Sequence, residues 1–317
     1  MKMRVCAAVL LGAVALGAGQ PESMLDPELP RYEKTTPVAG DLRTVGSDTM
    51  VNLVSLWTQA FKKQHPAARI QVEAKGSSTG PPALIEGQAQ FAPMSRAMEP
   101  EEIALFEEKF GYKPTQLRVA IDCIAVFVNK DCPLEELSLS EVAQVFSVDG
   151  PTMTWGDLGV EETGWRDRPI SLYGRNSASG TYKFFKDVAC SKADYKASVK
   201  EAPGSAGVVQ GVAKDPYAMG YSGIGFKTPD VKALKLSFGP GDEAFEPGLE
   251  HALTGDYPLA RFLYMYTNYD RRHGLDALRA EFLRFVFSRD GQEAVVKDGA
   301  YPLPASIAEE EMQKVGL

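Results

Sequence analysis

The chain has 317 residues, of which 44% are hydrophobic, and a formal net charge of −8 from 34 lysines and arginines against 42 aspartates and glutamates. This length is sufficient for two domains with ordinary cores. The acidic balance argues against nucleic acid as a partner, because nucleic acid is bound chiefly by basic patches. Any anion must therefore be captured by local dipoles and a few basic groups, and not by the overall field of the protein.

The N-terminus has the three-part layout of a secretory signal peptide. Lys2 and Arg4 precede a short apolar run, and polar residues follow it. We therefore expect residues 1–19 to be a cleaved signal peptide and the mature protein to be periplasmic or otherwise exported. Prolines and charges over residues 20–40 predict a flexible leader, with folding beginning near Leu42.

After the leader, the sequence predicts three successive units of strand, polar loop and helix. An alternating strand covers residues 68–73, a short strand covers residues 90–94, and each runs into a polar loop and a helix start, as does the segment 43–50. In parallel α/β sheets such loops gather at the carboxyl edge, where ligands bind. The polar side chains of these three loops are Ser47, Asp48, Thr49, Ser77, Ser78, Ser95 and Arg96.

The first of these loops precedes the clearest helix of the chain, which has apolar residues on one face and lysines in its last turn. Ser47 or Asp48 is a natural cap for its N-terminus, and caps of this kind are common without any ligand. The apolar face of this helix comprises Met50, Val54, Trp57 and Phe61.

The stretch from Gly174 to Phe185 has the outline of an anion receptor. A short β-prone run ends at Tyr173, and a helix with aromatic residues at helical spacing begins near Gly180. The loop between them directs its N–H groups and the positive end of the helix dipole at whatever lies over the helix start. Arg175 adds a planar two-pronged donor; the alternative is an ordinary Ser or Thr cap with a solvated arginine. The other candidates in this stretch are Ser179, Gly180 and Thr181.

Two long β-prone runs, residues 117–129 and 259–267, predict crossings between two lobes. The first lobe is then discontinuous and comprises residues 41–125 and 259–317, and the second lobe comprises residues 126–258. The other predicted elements are helices at 139–146, 195–202, 275–287 and 289–296, a glycine-rich turn into a helix at 204–213 and a strand at 217–226.

Five motifs occur in order along the chain: Val45-Gly-Ser-Asp-Thr49, Gly76-Ser-Ser-Thr-Gly80, Phe91-Ala-Pro-Met-Ser-Arg96, Gly174-Arg-Asn-Ser-Ala-Ser-Gly-Thr181 and Gly220-Tyr-Ser-Gly-Ile-Gly225. Together they resemble the periplasmic phosphate-binding proteins of phosphate ABC importers, over roughly residues 42 to 304. The resemblance implies a two-lobe α/β periplasmic-binding-protein fold, in which each lobe is a central mixed sheet flanked by helices and two crossings act as a hinge. It also implies that the protein captures inorganic phosphate and delivers it to the membrane permease of an ABC transporter, without catalysis and without a cofactor.

By position, the Arg-x-x-x-Ser-Gly-Thr loop of that family matches the stretch that begins at Arg175, and its Gly-Ser-Ser donor matches Ser77. Two positions depart from the pattern. Asp48 occupies the position of a threonine donor, and Ser95 occupies the position of an aspartate. We interpret this as an exchange in which Asp48 accepts the phosphate proton and Ser95 becomes a donor, because fully ionised sulfate lacks that proton and would be repelled. Arg96 is either a second basic group or a surface arginine.

Several alternatives remain open from the residues alone. The protein could bind another oxyanion such as sulfate or molybdate, act as an exported phosphatase-like enzyme, or serve in signalling or adhesion. No Cys/His spacing in the sequence suggests zinc, and we expect a monomer. The three cysteines after the signal, Cys123, Cys132 and Cys190, are an odd number, and their pairing is not readable from sequence.

Overall fold

The computed structural model describes residues 24–317, so the predicted signal peptide lies outside the described residues. The strands are β1 (Gly40–Gly46), β2 (Ala68–Ala74), β3 (Phe91–Met94), β4 (Thr115–Asn129), β5 (Glu136–Ser138), β6 (Ser171–Arg175), β7 (Lys200–Ala202), β8 (Ala218–Gly223), β9 (Val231–Ala233), β10 (Lys235–Ser237) and β11 (Ala260–Thr267). The helices are α1 (Val51–Gln64), α2 (Gly80–Ile85), α3 (Pro100–Phe110), α4 (Leu139–Phe146), α5 (Gly180–Val188), α6 (Gly204–Lys214), α7 (Leu249–Thr254), α8 (Ala277–Phe287), α9 (Arg289–Asp298) and α10 (Ala305–Gln313). No helix of the described range is both long and apolar enough to cross a membrane.

One mixed sheet carries most of the strands, in the order β2-β1-β3-β11-β4-β8-β6-β7, with β9 also paired to β4. β1 is parallel to β2 and β3, and β6 is parallel to β7 and β8. β11 and β4 lie between these two parallel groups and are antiparallel to each other. A separate parallel pair joins β5 to β10. The sheet therefore has a β1–β3 side and a β6–β8 side, connected through β4 and β11.

The long strand β4 belongs to both sides of the sheet. Its residues 115–123 pair with β11, and its residues 124–129 pair with β8 and β9. The run is buried almost throughout from residue 117 onward, which accounts for the hydrophobic residues on both of its faces. Any movement of one side of the sheet relative to the other must therefore bend this strand.

Helix α1 shows how the sequence pattern produces the packing. Its predicted face is confirmed, because Val54, Trp57 and Phe61 are fully buried against the core. Trp57 also donates its indole N–H to the carbonyl of Gly291 at 2.8 Å. Burying side chains of this size stabilises the fold by roughly 1.5–3 kcal/mol each, so the face decides where the helix lies.

The predicted flexible leader needs correction where the structure describes it. Leu25, Leu29 and Val38 are buried in the main core. The Tyr32 hydroxyl lies 2.6 Å from Nε2 of His65 and 2.6 Å from a carboxylate oxygen of Glu281. The physical reason is that single apolar residues, spaced along a proline-rich extended segment, each enter the core although no periodic pattern announces them.

The predicted helix at residues 195–202 is also wrong. Tyr195 forms an isolated bridge with Ser147, and Lys200–Ala202 forms the edge strand β7 beside β6. The Tyr195 ring packs against that of Tyr221, with the ring centroids 5.8 Å apart. Pairing with a sheet edge supplies ladder hydrogen bonds that local propensity cannot anticipate. The last helix, α10, was not predicted either.

The three cysteines of the described residues are free and buried, in β4, after β4 and after α5. Burial raises the pKa of the Cys132 thiol to about 11 and that of the Cys190 thiol to about 12. Thiols of this kind are poor nucleophiles at neutral pH, because the thiolate is the reactive form.

Candidate functional site

The polar loops that end parallel strands meet at the carboxyl edge of the sheet, as the sequence predicts. The loops after β1, β2 and β3 belong to the β1–β3 side of the sheet. They lie against the loop between β6 and α5, which belongs to the β6–β8 side. Most of the predicted side chains are buried there, namely Ser47, Thr49, Ser77, Ser95, Arg175, Ser179 and Thr181. Asp48 is partly buried beside them, whereas Ser78 is exposed and donates its hydroxyl and its N–H to the carbonyl of Ala178, both at 3.2 Å.

Two glycines allow the loops from the two sides to touch. A Cβ added at Gly180 would lie 2.3 Å from Oγ of Ser77 and 2.6 Å from Oγ of Ser95. Gly76 has a φ of +111°, and a Cβ there would lie 2.4 Å from the carbonyl oxygen of Ala178. Both separations are shorter than any normal contact, so a side chain at either position would force the neighbouring atoms to shift.

Arg175 lies at the centre of the site, with its side chain fully buried. Its guanidinium pairs with Asp48 Oδ2, donates to Oγ of Ser205 at 2.6 Å and reaches Oγ1 of Thr49 at 3.4 Å. The alternative of a solvated arginine is therefore wrong. Arg175 Nε, Asp48 Oδ1 and Ser47 Oγ are buried and have no hydrogen-bond partner among residues 24–317. Such atoms are rare in folded proteins and need an explanation.

The alternative role of Ser47 or Asp48 as a helix cap is excluded by the start of α1. This helix begins after Met50, and within the described part of the chain no side chain caps it. By contrast, Ser179 does cap α5, since its Oγ accepts the N–H of Thr181 at 3.2 Å. The predicted start of α5 at Gly180 is confirmed.

The hydroxyls of the site form a connected set. Ser77 and Ser95 lie 3.2 Å apart at their Oγ atoms, and the N–H of Ser95 donates to Ser77 Oγ at 3.0 Å. Thr49 and Thr181, from opposite sides of the sheet, lie 2.9 Å apart at their Oγ1 atoms. Hydroxyls of this kind can turn their hydrogens toward an acceptor that lies between them.

Sequence reasoning missed three residues of the site: Arg261, Asp122 and Ser205. Arg261 in β11 pairs with Asp122 in β4, at 3.1 Å from Nε and 2.8 Å from Nη2 to the same carboxylate oxygen. Burial raises the pKa of the Asp122 carboxyl, and the guanidinium of Arg261 opposes this rise. For Arg261 and Asp122, the available signal was a charged residue inside a long apolar strand run.

Arg96 belongs to a different group of contacts. Its guanidinium pairs with both carboxylate oxygens of Glu102, at 2.7 and 2.8 Å, and donates to the carbonyl of Ala97 at 2.8 Å. Glu102 also takes part in the capping box of α3. Arg96 is therefore engaged at the start of α3.

Within residues 24–317, no group of acidic, cysteine and histidine side chains is placed to hold a metal ion.

A family model described as a PBP superfamily domain matches residues 32–290. The phosphate-binding protein PstS of Pseudomonas aeruginosa is 46% identical over 321 aligned residues, with 99% of this chain and 99% of that protein covered. This chain belongs to the PstS family of phosphate-binding proteins. The PstS protein of Staphylococcus epidermidis is a more distant relative, 30% identical over 83% of this chain and 78% of its own length.

Among solved structures, an ABC-type phosphate transport receptor from Vibrio cholerae is similar to this PstS-family chain with a TM-score of 0.66 at 20% identity. The match covers 83% of this chain and 100% of the receptor. The predicted fold class, a two-lobe α/β periplasmic-binding-protein fold, is confirmed by this likeness. The resemblance drawn from the five motifs is confirmed as well.

Proposed function

We propose that this protein captures inorganic phosphate between its two lobes and delivers it to the membrane permease of an ABC importer. The proposed lobes are residues 41–125 with 259–317 and residues 126–258. The observation that carries the proposal is a set of buried atoms at Arg175, Asp48 and Ser47 that have no partner among residues 24–317 and that combine donors with one carboxylate acceptor. The relatives also support the proposal, because close and distant members of the family are named phosphate-binding proteins.

The proposed ligand shell consists of donors from both lobes and one acceptor, the carboxylate of Asp48. The residues are Ser47, Asp48, Thr49, Ser77, Ser78, Ser95, Arg175, Ser179, Gly180 and Thr181. Gly180 would contribute the backbone N–H at the start of α5, where the helix dipole favours an anion. The two buried arginines, Arg175 and Arg261, are each paired with a carboxylate. The ionised pairs leave the site with no excess charge, so hydrogen bonds and dipoles would hold the anion.

Asp48 would provide the selectivity. Phosphate at neutral pH still carries a proton, and the Oδ1 atom of Asp48 is a buried acceptor with no partner in the described chain. Sulfate has no proton to donate and would meet this carboxylate with repulsion. A site built around one required hydrogen bond discriminates more strongly than pocket size alone. Ser95 fits the exchange, because its hydroxyl lies against Ser77 as part of the donor set.

The remaining parts of the proposal concern the setting. The protein would be exported after cleavage of its signal peptide and would act as a monomer on the outer side of the inner membrane, where it meets the permease. It would bind and release phosphate without breaking a phosphate ester. Incubation with a chromogenic phosphate ester tests this last point, and turnover at enzyme-like rates would contradict it.

The central experiment is a calorimetric titration of the mature protein with phosphate, arsenate, sulfate and molybdate. We expect binding of phosphate and arsenate, which share geometry and protonation, and weak or undetectable binding of sulfate and molybdate. Preferential binding of sulfate or molybdate would make the protein a receptor for another oxyanion. Deletion of the gene should in addition reduce phosphate uptake by cells.

A further inference from the structure

The buried pair of Arg261 and Asp122 lies where the two connecting strands run side by side. The two residues are direct partners in the β4–β11 ladder. One residue further along β4, Cys123 makes the last pair with β11, and Ile124 begins the pairing with β8. The side chains of Arg261 and Asp122 are only 3% and 4% exposed. The pair therefore occupies the point at which the two sides of the sheet join.

The same guanidinium also contacts both sides of the site. Nη1 of Arg261 donates to the carbonyl of Ser95, in the loop after β3, at 2.6 Å. Nη2 donates to Oγ1 of Thr181, in the first turn of α5, at 2.9 Å. The Ser95 contact lies within the β1–β3 side, but the Thr181 contact requires the two sides to be close together. Arg261 thus connects the joining strands to a site residue that moves with the second lobe.

The hydrogen bond from Arg261 to Thr181 also decides how the Thr181 hydroxyl is used. Because Oγ1 of Thr181 accepts a hydrogen bond from Arg261, its own hydrogen must point elsewhere, toward Thr49 or into the site. Thr49 in turn accepts from Arg175 at 3.4 Å. Two guanidinium groups therefore hold the facing hydroxyls as donors, which is the orientation that an oxyanion requires.

We propose that Arg261, anchored by Asp122, is a positioning residue that couples closure of the two lobes to phosphate capture. This inference rests on the proposed function above. In the closed state Arg261 holds the hydroxyl of Thr181 toward the ligand and connects it to the Ser95 loop. Phosphate binding and lobe closure then stabilise each other, since either one favours the Arg261–Thr181 contact.

The test uses a double variant, Asp122→Asn with Arg261→Gln, which removes both charges and leaves no buried charge unpaired. Stopped-flow and calorimetric measurements with inorganic phosphate give the dissociation rate and affinity, and X-ray scattering reports closure. We expect phosphate affinity to fall roughly tenfold or more, chiefly through faster dissociation, because charge-assisted hydrogen bonds in the closed state are lost. We also expect a smaller phosphate-induced change in scattering.

The matched control is a second ion pair on the same strand. Arg118 in β4 is partly exposed and pairs with Glu311, which is fully buried, and neither residue belongs to the proposed ligand shell. The variant Arg118→Gln with Glu311→Gln should leave phosphate affinity and dissociation unchanged. Arg261→Lys is a second variant that keeps the charge but loses the planar fork that reaches Asp122, Ser95 and Thr181 together, so it should weaken binding in the same direction.

The outcomes separate this inference from the proposed function. If the wild-type protein binds phosphate and the Asp122→Asn/Arg261→Gln and Arg261→Lys variants dissociate at the wild-type rate, the role of Arg261 is overturned. If the wild-type protein does not bind phosphate, the proposed function fails first. Thermal unfolding without phosphate shows whether each variant is folded, and a folded Arg261→Lys protein suffices for the test if the double variant does not fold.

Discussion

At the scale of single residues, Asp48 and Gly180 bear most directly on the proposed phosphate site. Asp48 presents one carboxylate oxygen to Arg175 and keeps the other buried without a partner in the described residues. A methyl group at Gly180 would displace the hydroxyls of Ser77 and Ser95. Asp48 therefore bears on the chemistry of the proposed ligand, and Gly180 bears on how closely the loops approach each other.

Replacing Asp48 by Asn tests the carboxylate as the proton acceptor. We expect weaker phosphate binding and a preference for phosphate over sulfate that falls by roughly 100-fold or more, because the amide no longer repels a fully ionised anion. Competition calorimetry with the two anions measures this preference. The control is Asp41→Asn in β1, the strand that precedes the Asp48 loop, where the carboxylate forms an exposed pair with Arg69. If Asp48→Asn still excludes sulfate as the wild type does, Asp48 is not the selecting acceptor.

Replacing Gly180 by Ala should hinder closure without harming the helix. Alanine suits an early helical position, but its Cβ would lie 2.3 Å from Oγ of Ser77. We expect phosphate affinity to fall about tenfold or more, while the thermal unfolding temperature without phosphate stays close to the wild-type value. Gly248→Ala is the control, since a Cβ there meets its nearest atom only at 3.8 Å. Wild-type affinity in Gly180→Ala would mean that the loops need not approach this closely.

At the scale of elements, a chain of hydrogen bonds holds the N-terminal segment against α1 and α8. His65, which follows α1, contacts the Tyr32 hydroxyl through Nε2 and accepts the N–H of Val38 at Nδ1, at 3.4 Å. Tyr32 and Thr35 both donate to Glu281 of α8. The His65 ring is therefore neutral, with its hydrogen on Nε2.

This network predicts a loss of stability in mild acid. Burial lowers the pKa of His65 below its ordinary value of 6.5, and the charge of Lys34 acts in the same direction. The unfolded state therefore binds the proton more readily, so the stability contributed by neutral His65 is present above pH 6.5 and decreases as the pH falls below it. Denaturant unfolding at several pH values between 8 and 5, on the order of one unit apart, measures the free energy of unfolding.

The variant His65→Gln should show a smaller decrease of that free energy between neutral pH and pH 5 than the wild type. His273→Gln is the control, because His273 is exposed in the loop after β11. Glu281 acts lower on the pH scale: burial raises its pKa, but the hydrogen bonds from Thr35 and Tyr32 outweigh this and lower it below 4.5. Its stabilisation is present above pH 4.5 and is lost as the pH falls further. Equal pH dependence in His65→Gln and the wild type would rule out His65 as the titrating group.

At the scale of the whole molecule, loop contacts at the site join the two sides of the sheet, in addition to the connecting strands β4 and β11. The N–H of Ser78 donates to the carbonyl of Ala178 at 3.2 Å, and Thr49 meets Thr181 at 2.9 Å. These contacts join loops that belong to different proposed lobes. We therefore expect phosphate to favour the closed arrangement by hinge motion in β4 and β11.

X-ray scattering with and without phosphate tests this motion. The radius of gyration should decrease on adding phosphate, because closure brings the lobes together and excludes water from the site. Sulfate at the same ionic strength is the control and should leave the profile unchanged. Indistinguishable profiles with and without phosphate would contradict the hinge.

Local patterns determined a large part of this protein from sequence alone. The buried face of α1, the start of α5 at Gly180 and the polar loops after successive strands all follow from periodicity, capping and turn chemistry, which act within a few residues of the chain. The order of five loop motifs indicated the family and the fold, because five short motifs in one order are more specific than any one of them.

Only the tertiary structure decided the contacts between distant segments. Arg261 and Asp122 are 139 positions apart and meet because β4 and β11 pair in one register. Residues 195–202 became a bridge and an edge strand, and Leu25 and Leu29 entered the core, because a partner elsewhere in the chain was available. A periodic pattern records which side of an element is apolar, but not which distant residue will lie against it. For that reason the sequence determined the loops of the site, and the fold determined the arginine that connects them.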